Sequence, residues 1–206
     1  MIRYTKKVRS ILNFIDEYGF ITAKICGYIF YKDTKTSIEQ GRHKLTALYK
    51  NGDLIISKNQ YGKEYLYKRE SKSISSHKFL LLNLYAEIFN IVDNVEYFQM
   101  EENWQLSKKK SDAHIIFSNN IDGETVLKSY LIEYDKHHNT EFDKYNTIYA
   151  TGEVQKWYSN RYDEEGLFPN IIQINHNGIA KIDNNNKFSV VGLDYDFNEL
   201  IQRVIL

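Results

Sequence analysis

The stretch DTKTSIEQGRHKLTALYKNGDLIIS, residues 33–57, contains a helix signal followed directly by a strand signal. Its apolar residues Ile38, Leu45 and Leu48 recur at helical spacing and would share one buried face. Gly52 is typical of a helix end, and the apolar LIIS that follows favours a strand. The stretch therefore predicts a mixed α and β domain, with a helix leading into a hairpin.

Two more helices are predicted before this stretch. The first carries apolar residues at i, i+3, i+4 and i+7 and stops near Gly19, and the second runs from Thr22 to about Tyr31. After the third helix, residues 54–57 and 64–68 read as two short strands around a turn. The apolar stripe of the first helix consists of Val8, Ile11, Leu12 and Ile15.

Three short helices followed by a hairpin are the order of a winged helix-turn-helix, so we predict an α+β domain of this type over residues 1–72. In such domains the third helix enters the major groove and the hairpin lies along the DNA backbone. The helix side opposite the apolar residues is polar and basic, which suits base edges and phosphates. The predicted DNA-binding residues are Thr36, Gln40, Arg42, His43, Lys44 and Lys50 in the helix and Lys58, Gln60 and Lys63 in the hairpin.

One acidic residue complicates this interpretation. Glu39 lies on the same side of the third helix and would repel phosphate, although Thr36 and Glu39 also have the spacing of a capping box, as do Ser37 and Gln40. The alternative is a solvated helix face on a winged helix that contacts protein instead of DNA.

The charge distribution favours a polyanionic partner for the first part of the chain. Residues 1–80 carry 16 Lys and Arg against 7 Asp and Glu, whereas residues 81–206 carry 11 against 20. The single cysteine, Cys26, excludes an internal disulfide framework and is expected in the core. No apolar run approaches the roughly 18 residues that cross a bilayer. We expect a cytoplasmic protein with no membrane partner.

The acidic part changes from a helical to a β pattern. We predict a bridging helix over residues 73–93 and an α/β sandwich over 94–206, in which short β-rich runs alternate with helices. One long helix is expected from Glu141 to about Ser159. A last helix is expected near the C-terminus, with Asp196 and Glu199 as a capping pair and an apolar stripe of Phe197, Leu200, Ile201 and Val204.

Two carboxylates end the β-run SYLIEYDKHH, residues 129–138. Glu133 and Asp135 are two positions apart, so they project from the same face of a strand. Such a pair is costly unless a metal ion or a basic side chain lies beside it. A solvated strand end is the alternative. His137 and His138 follow after Lys136, but the side chains of two consecutive residues diverge, which does not favour a zinc site.

The order of Asp112, Glu133 and Lys144 resembles the PD…(D/E)xK nuclease core of the restriction-endonuclease-like fold. The resemblance implies that Asp112 and Glu133 bind Mg²⁺, that Asp135 assists, and that Lys144 positions water. Ser111 stands in place of the proline of this motif, and Asp135 in place of its lysine. The predicted catalytic residues, if the site is active, are Asp112, Glu133, Asp135 and Lys144, with Asp112 and Glu133 as metal ligands.

The whole pattern resembles the replication-relaxation family of plasmids and other mobile elements. The resemblance is carried by the winged helix, the Ser76-His77 step and the segments SDAHIIF, IEYDKHH, FDKYNTIY and NIIQINH. It implies a double-stranded DNA-binding protein acting in replication, transfer or transcriptional control, with an inactive nuclease-like domain, a possible homodimer and no cofactor needed for DNA binding. The alternatives are a Mg²⁺-dependent DNA endonuclease and a phage protein that binds a host protein.

Overall fold

The computed structural model describes residues 4–135, 143–179 and 187–206. The chain is a mixed α+β protein with a two-stranded and a five-stranded sheet, and it divides into two compact units, Met1–Ile91 and Val92–Leu206. The α+β class expected from the sequence is therefore confirmed.

Four helices form most of the first unit: α1 Lys6–Tyr18, α2 Ala23–Phe30, α3 Ser37–Lys50 and α4 Ser76–Ile91. The ends of the first two are set locally. The Thr5 and Thr22 hydroxyls accept hydrogen bonds from Val8 N and Ile25 N, and Gly19 ends α1 with φ +81°. The predicted apolar stripe of α1 is confirmed, because all four of its residues are buried.

A small sheet follows α3. Strands β1 Ile55–Ser57 and β2 Leu66–Lys68 pair in antiparallel register. Ile21, between α1 and α2, adds an isolated bridge to Tyr67 through two N–H···O bonds of 2.9 Å. The hairpin is thereby tied to the segment that precedes α2.

Two glycines set the closeness of α2 and α3. A Cβ added at Gly41 would lie 2.7 Å from both Ala23 O and Gly27 N, and one added at Gly27 would lie 2.7 Å from Ile38 Cα. No side chain fits at this crossing, so the two helices pack backbone to backbone and α3 has a fixed angle against α2. Cys26 is fully buried beside the crossing, as expected, and burial raises its pKa to about 12.

The second unit is built on the five-stranded sheet. Its strands lie in chain order: β3 Asn94–Trp104, β4 Lys109–Ile121, β5 Glu124–Tyr134, β6 Asn170–Ile174 and β7 Val190–Leu193. The first three strands are antiparallel, whereas β6 and β7 run parallel to β5. Between β5 and β6, two helices of the described residues lie on one face of the sheet.

These helices correct one prediction. The single helix expected from Glu141 to Ser159 is wrong, because Gly152, with φ +66°, separates α5 Asp143–Thr151 from α6 Glu153–Tyr162. Both helices pack on the sheet. The core between the helices and the sheet consists of Trp104, Ile116, Leu131, Tyr145, Ile148, Val154, Tyr158, Ile171 and Phe188.

The C-terminal helix also differs from expectation. A turn capped by Asp194 Oδ1, which accepts from the Asp196 and Asn198 amides, leads only to a short π-helical segment, Ile201–Ile205. Ile201 is 49% exposed and does not belong to a buried stripe. Lys128 and Tyr130 of β5 hold the segment by donating to the backbone carbonyls of Ile205 and Val204.

The helix predicted over residues 73–93 is observed as α4, which belongs to the first unit and packs against α2. Its bridging role stays a prediction. Phe79, Tyr85 and Phe89 recur at helical spacing along α4, but they are only half-buried. Burial extends round the helix since the fully buried residues Leu81, Leu82, Leu84, Ala86 and Ile88 lie on more than one side.

Candidate nucleic-acid interface and acidic site

The outer face of α3 is defined by Thr36, Glu39, Gln40, His43, Thr46, Ala47 and Lys50, with Arg42 and Lys44 at its two margins. Leu45 and Leu48, on the opposite side, are fully buried, and this orientation leaves Arg42, His43 and Lys50 exposed. The backbone crossing at Gly27 and Gly41 holds the helix in this orientation.

The basic side chains of this face have no carboxylate partner within the described residues. Arg42, Lys44 and Lys50 form no salt bridge there, and the same holds for Lys58 and Lys63. Three other basic residues of the first unit are paired, since Lys24 contacts Glu87, Arg69 contacts Asp16 and Lys72 contacts Glu70. Lys6, Arg9 and Lys35 are also exposed without a salt bridge to any described residue, so unpaired cations occur on α3 and the hairpin without being confined to them.

The hairpin loop, residues 58–65, carries the other predicted contacts. Lys58, Gln60 and Lys63 are exposed. The Gln60 side chain donates to the Tyr61 hydroxyl at 2.6 Å, so part of its hydrogen-bonding capacity is used inside the loop. Glu64 Oε1 accepts from Lys24 N at 3.1 Å and ties the loop to the start of α2.

Sequence reasoning missed several residues on these surfaces. Thr46 and Ala47 bring small apolar groups to the outer face, and methyl contacts of this kind suit the thymine methyl group. Tyr49 and Tyr65 are 46% and 57% exposed beside the basic side chains. A helical projection of α3 predicts these positions when small and aromatic residues are considered as well as charged ones.

The acidic site of the second unit is centred on Glu133 and consists of Asp112, Glu133, Asp135, Lys144 and Tyr145. Glu133 is 5% exposed at the end of β5. Its Oε1 lies 2.6 Å from Lys144 Nζ, and the Tyr145 hydroxyl donates to the same oxygen. Lys144 reaches the carboxylate from the first turn of α5 and also donates to the Lys110 carbonyl at 3.1 Å.

The other two carboxylates are hydrogen-bonded to the neighbouring backbone and side chains. Asp112 Oδ2 accepts from Tyr134 N at 2.8 Å, and Asp135 Oδ2 accepts from Gln173 Nε2 at 2.6 Å. Gln173 pairs with Glu133 in the parallel register of β5 and β6. The structure therefore brings the four sequence-predicted residues and Tyr145 to one end of the sheet.

Burial raises the pKa of Glu133, and the nearby Asp112 charge raises it further, whereas Lys144 and Tyr145 lower it. Burial and the Glu133 charge also raise the pKa of Tyr145 well above its usual range, with smaller contributions from Asp112 and Asp135. Tyr145 is therefore a hydrogen-bond donor at neutral pH. The site combines one charged lysine and one neutral phenol with three carboxylates.

The sequence predicts a Mg²⁺ ion bound by Asp112 and Glu133. Within residues 4–135, 143–179 and 187–206, no three His, Cys, Asp or Glu side chains are grouped so that they could hold a metal ion. The observed cation beside Glu133 is the Lys144 ammonium. Asp112 and Glu133 as Mg²⁺ ligands remain a prediction, and His137 and His138 lie outside the described residues.

A second polar group is buried between the sheet and α6. His114 is fully buried, and its Nε2 lies 2.6 Å from the Tyr158 hydroxyl, which also contacts the Ser129 hydroxyl. Nδ1 lies 3.7 Å from Glu102 Oε2, too far for a hydrogen bond. Burial lowers the pKa of His114, although Glu102 opposes this effect, so the imidazole is neutral at pH 7.

Comparisons with family models, curated proteins and solved structures gave no match to this chain. The resemblance to the replication-relaxation family therefore stays a prediction. Among the helices that the structure describes, none has the length and apolar character needed to cross a membrane.

Proposed function

We propose that the protein binds double-stranded DNA through α3 and the hairpin loop of its first unit. The observation that carries this proposal is the set of exposed basic side chains on α3 and the loop that have no acidic partner in the described residues. Unpaired Lys and Arg on one helix face are the features that neutralise phosphates and donate to base edges.

The order of elements supports a winged helix-turn-helix. α1, the Ile21 bridge, α2, α3 and the β1–β2 hairpin follow the order of such domains, and the glycine crossing fixes α3 against α2. The helix presents an outer face of polar and small residues, which suits the major groove. The excess of basic residues over 1–80 adds long-range attraction to DNA.

For the second unit we propose the topology of the restriction-endonuclease-like fold. Three antiparallel strands, a helical crossover and a parallel strand follow that order, with Asp112 on the second strand and Glu133 on the third. The ion pair between Lys144 and Glu133 favours a structural role for these carboxylates. The resemblance adds the biological setting, a mobile element in which the protein acts in replication, transfer or transcription.

DNA binding is tested with labelled duplexes from a mobile element at about 50 and 200 mM salt. We expect the wild-type affinity to fall steeply with salt. Arg42→Ala and Lys44→Ala should each weaken binding and reduce the salt slope by about 1. Lys72→Ala is the matched control, since Lys72 is paired with Glu70, and it should behave as wild type. Equal binding by all four proteins would exclude the α3 assignment.

A Mg²⁺-dependent endonuclease is the second candidate, because Asp112 and Glu133 lie on neighbouring strands beside a lysine. The same duplexes, incubated with Mg²⁺ and separated on a denaturing gel, distinguish the two roles. Cleavage that disappears in Asp112→Asn would establish the enzyme. Intact DNA together with salt-sensitive binding would favour a DNA-binding protein without nuclease activity.

A further inference from the structure

Glu39 is an exposed carboxylate in the middle of a basic surface. It lies in the first turn of α3 on the outer face and is engaged in no hydrogen bond or salt bridge with the described residues. The capping box predicted from its spacing is not formed, because the Thr36 side chain makes no capping hydrogen bond. The Glu39 carboxylate is therefore not used to cap the N-terminus of the helix.

The neighbouring basic side chains do not neutralise Glu39 either. Arg42 and His43 stand three and four positions later, the spacing at which helical ion pairs form. Neither makes a salt bridge with Glu39 in the structure. Acidic and basic side chains thus remain available side by side on one surface.

A carboxylate in this place has few favourable partners on DNA. It repels every phosphate, so it lowers the affinity for DNA in general. In the major groove, the N4 amino group of cytosine is the donor that Glu and Asp side chains recognise. Glu39 would be attracted where that amino group is present and repelled elsewhere, which produces sequence preference.

We propose that Glu39 determines specificity by accepting a hydrogen bond from cytosine N4 in the major groove. This inference rests on the proposed function. Arg42 and His43, one helical turn further along, supply donors for guanine or phosphate at the adjoining positions. Glu39 acts as a reader of one C·G pair, and the cations around it supply the affinity.

The test is a selection of bound duplexes from a library with a randomised central segment, using wild type, Glu39→Ala and Glu39→Gln. Wild type should enrich a site with a fixed C·G pair. Glu39→Ala should lose the preference at that position alone, by about 10-fold, and should bind unrelated duplex more tightly. Glu39→Gln should shift the preference toward adenine, whose N6 and N7 suit an amide.

Glu164→Ala removes an equal charge from an exposed loop and is the matched control. It should leave the selected sequence unchanged. If Glu39→Ala selected the same sequence as wild type with the same discrimination, the role of Glu39 would be overturned while DNA binding stood. If wild type enriched no sequence and bound no duplex, the proposed function itself would fail. Thermal melts confirm that each variant is folded.

Discussion

Lys144 Nζ and Glu133 Oε1 lie 2.6 Å apart and join the first turn of α5 to the end of β5. The glutamate side chain is 7% exposed and that of the lysine 23%, so the pair is largely removed from water. A buried carboxylate is tolerated only with a partner of this kind. The pair therefore links the packing of α5 to the geometry of the acidic site.

Removing the lysine should destabilise the second unit. Lys144 and the Tyr145 hydroxyl both donate to Glu133 Oε1, and Lys144→Ala leaves the Tyr145 hydroxyl in place. We expect a loss of about 2 kcal/mol in the free energy of unfolding at pH 7, below the full value for a buried pair because Lys144 is partly exposed. Urea denaturation measures it. The double variant Lys144→Met, Glu133→Gln should recover most of the loss, and a double variant as unstable as the single one would contradict the explanation.

Glu133 should make stability fall as the pH rises. The folded-state pKa of Glu133 is raised above the usual 4.5. Between pH 4.5 and this raised pKa, the folded state therefore binds the proton more tightly than the unfolded state does. Denaturation of wild type and Glu133→Gln across this range gives the effect as a difference. The variant should gain relative stability as the pH rises above 4.5. Glu164→Gln, which makes the same change on an exposed loop, is the matched control.

His114 should act in the opposite direction at mildly acidic pH. Burial lowers its folded pKa below the usual 6.5, so the unfolded state binds the proton more tightly. Stability should therefore decrease as the pH falls below 6.5, and His114→Gln should show a flatter profile. His43→Gln is the control, because His43 is exposed on α3. A wild-type profile identical to that of His114→Gln would show that His114 does not titrate on unfolding.

Gly41→Ala should disturb the crossing of α2 and α3. The new Cβ would lie 2.7 Å from Ala23 O and Gly27 N, both of which are backbone atoms. We expect a loss of about 1–3 kcal/mol in stability and weaker DNA binding through a displaced α3. Gly62→Ala is the comparison, because its nearest neighbours are the side chains of Asn59 and Phe79, which can move. Equal melting temperatures for the two variants would argue against close helix packing.

The helices and strands of the first unit could be predicted because their signals are local. Thr22 and Gly19 cap helices within a few residues of sequence, and the apolar stripe of α1 needs no knowledge of its partner. The break at Gly152 was missed because an apolar pattern continues on both sides of it. Helical periodicity does not report a single left-handed residue.

The candidate sites could likewise be predicted only in part. Asp112, Glu133 and Lys144 were predicted as one group, and the structure brings them together. The position of the Tyr145 hydroxyl at Glu133 depends on how α5 packs on the sheet, and so does the contact between His114 and Tyr158. Such contacts follow from tertiary packing, which a single sequence does not encode in any local pattern.

Residues 130–132 of β5, directly before Glu133, form a segment that is hydrogen-bonded on both edges, with an antiparallel neighbour on one side and a parallel neighbour on the other. Opening it requires two ladders to break together, so its amide protons should exchange with deuterium more slowly than those of β3 or β7. Glu133 is attached to this strand. The carboxylate should therefore keep its position during the partial opening events that release the outer strands, and local breathing of the sheet will not expose it.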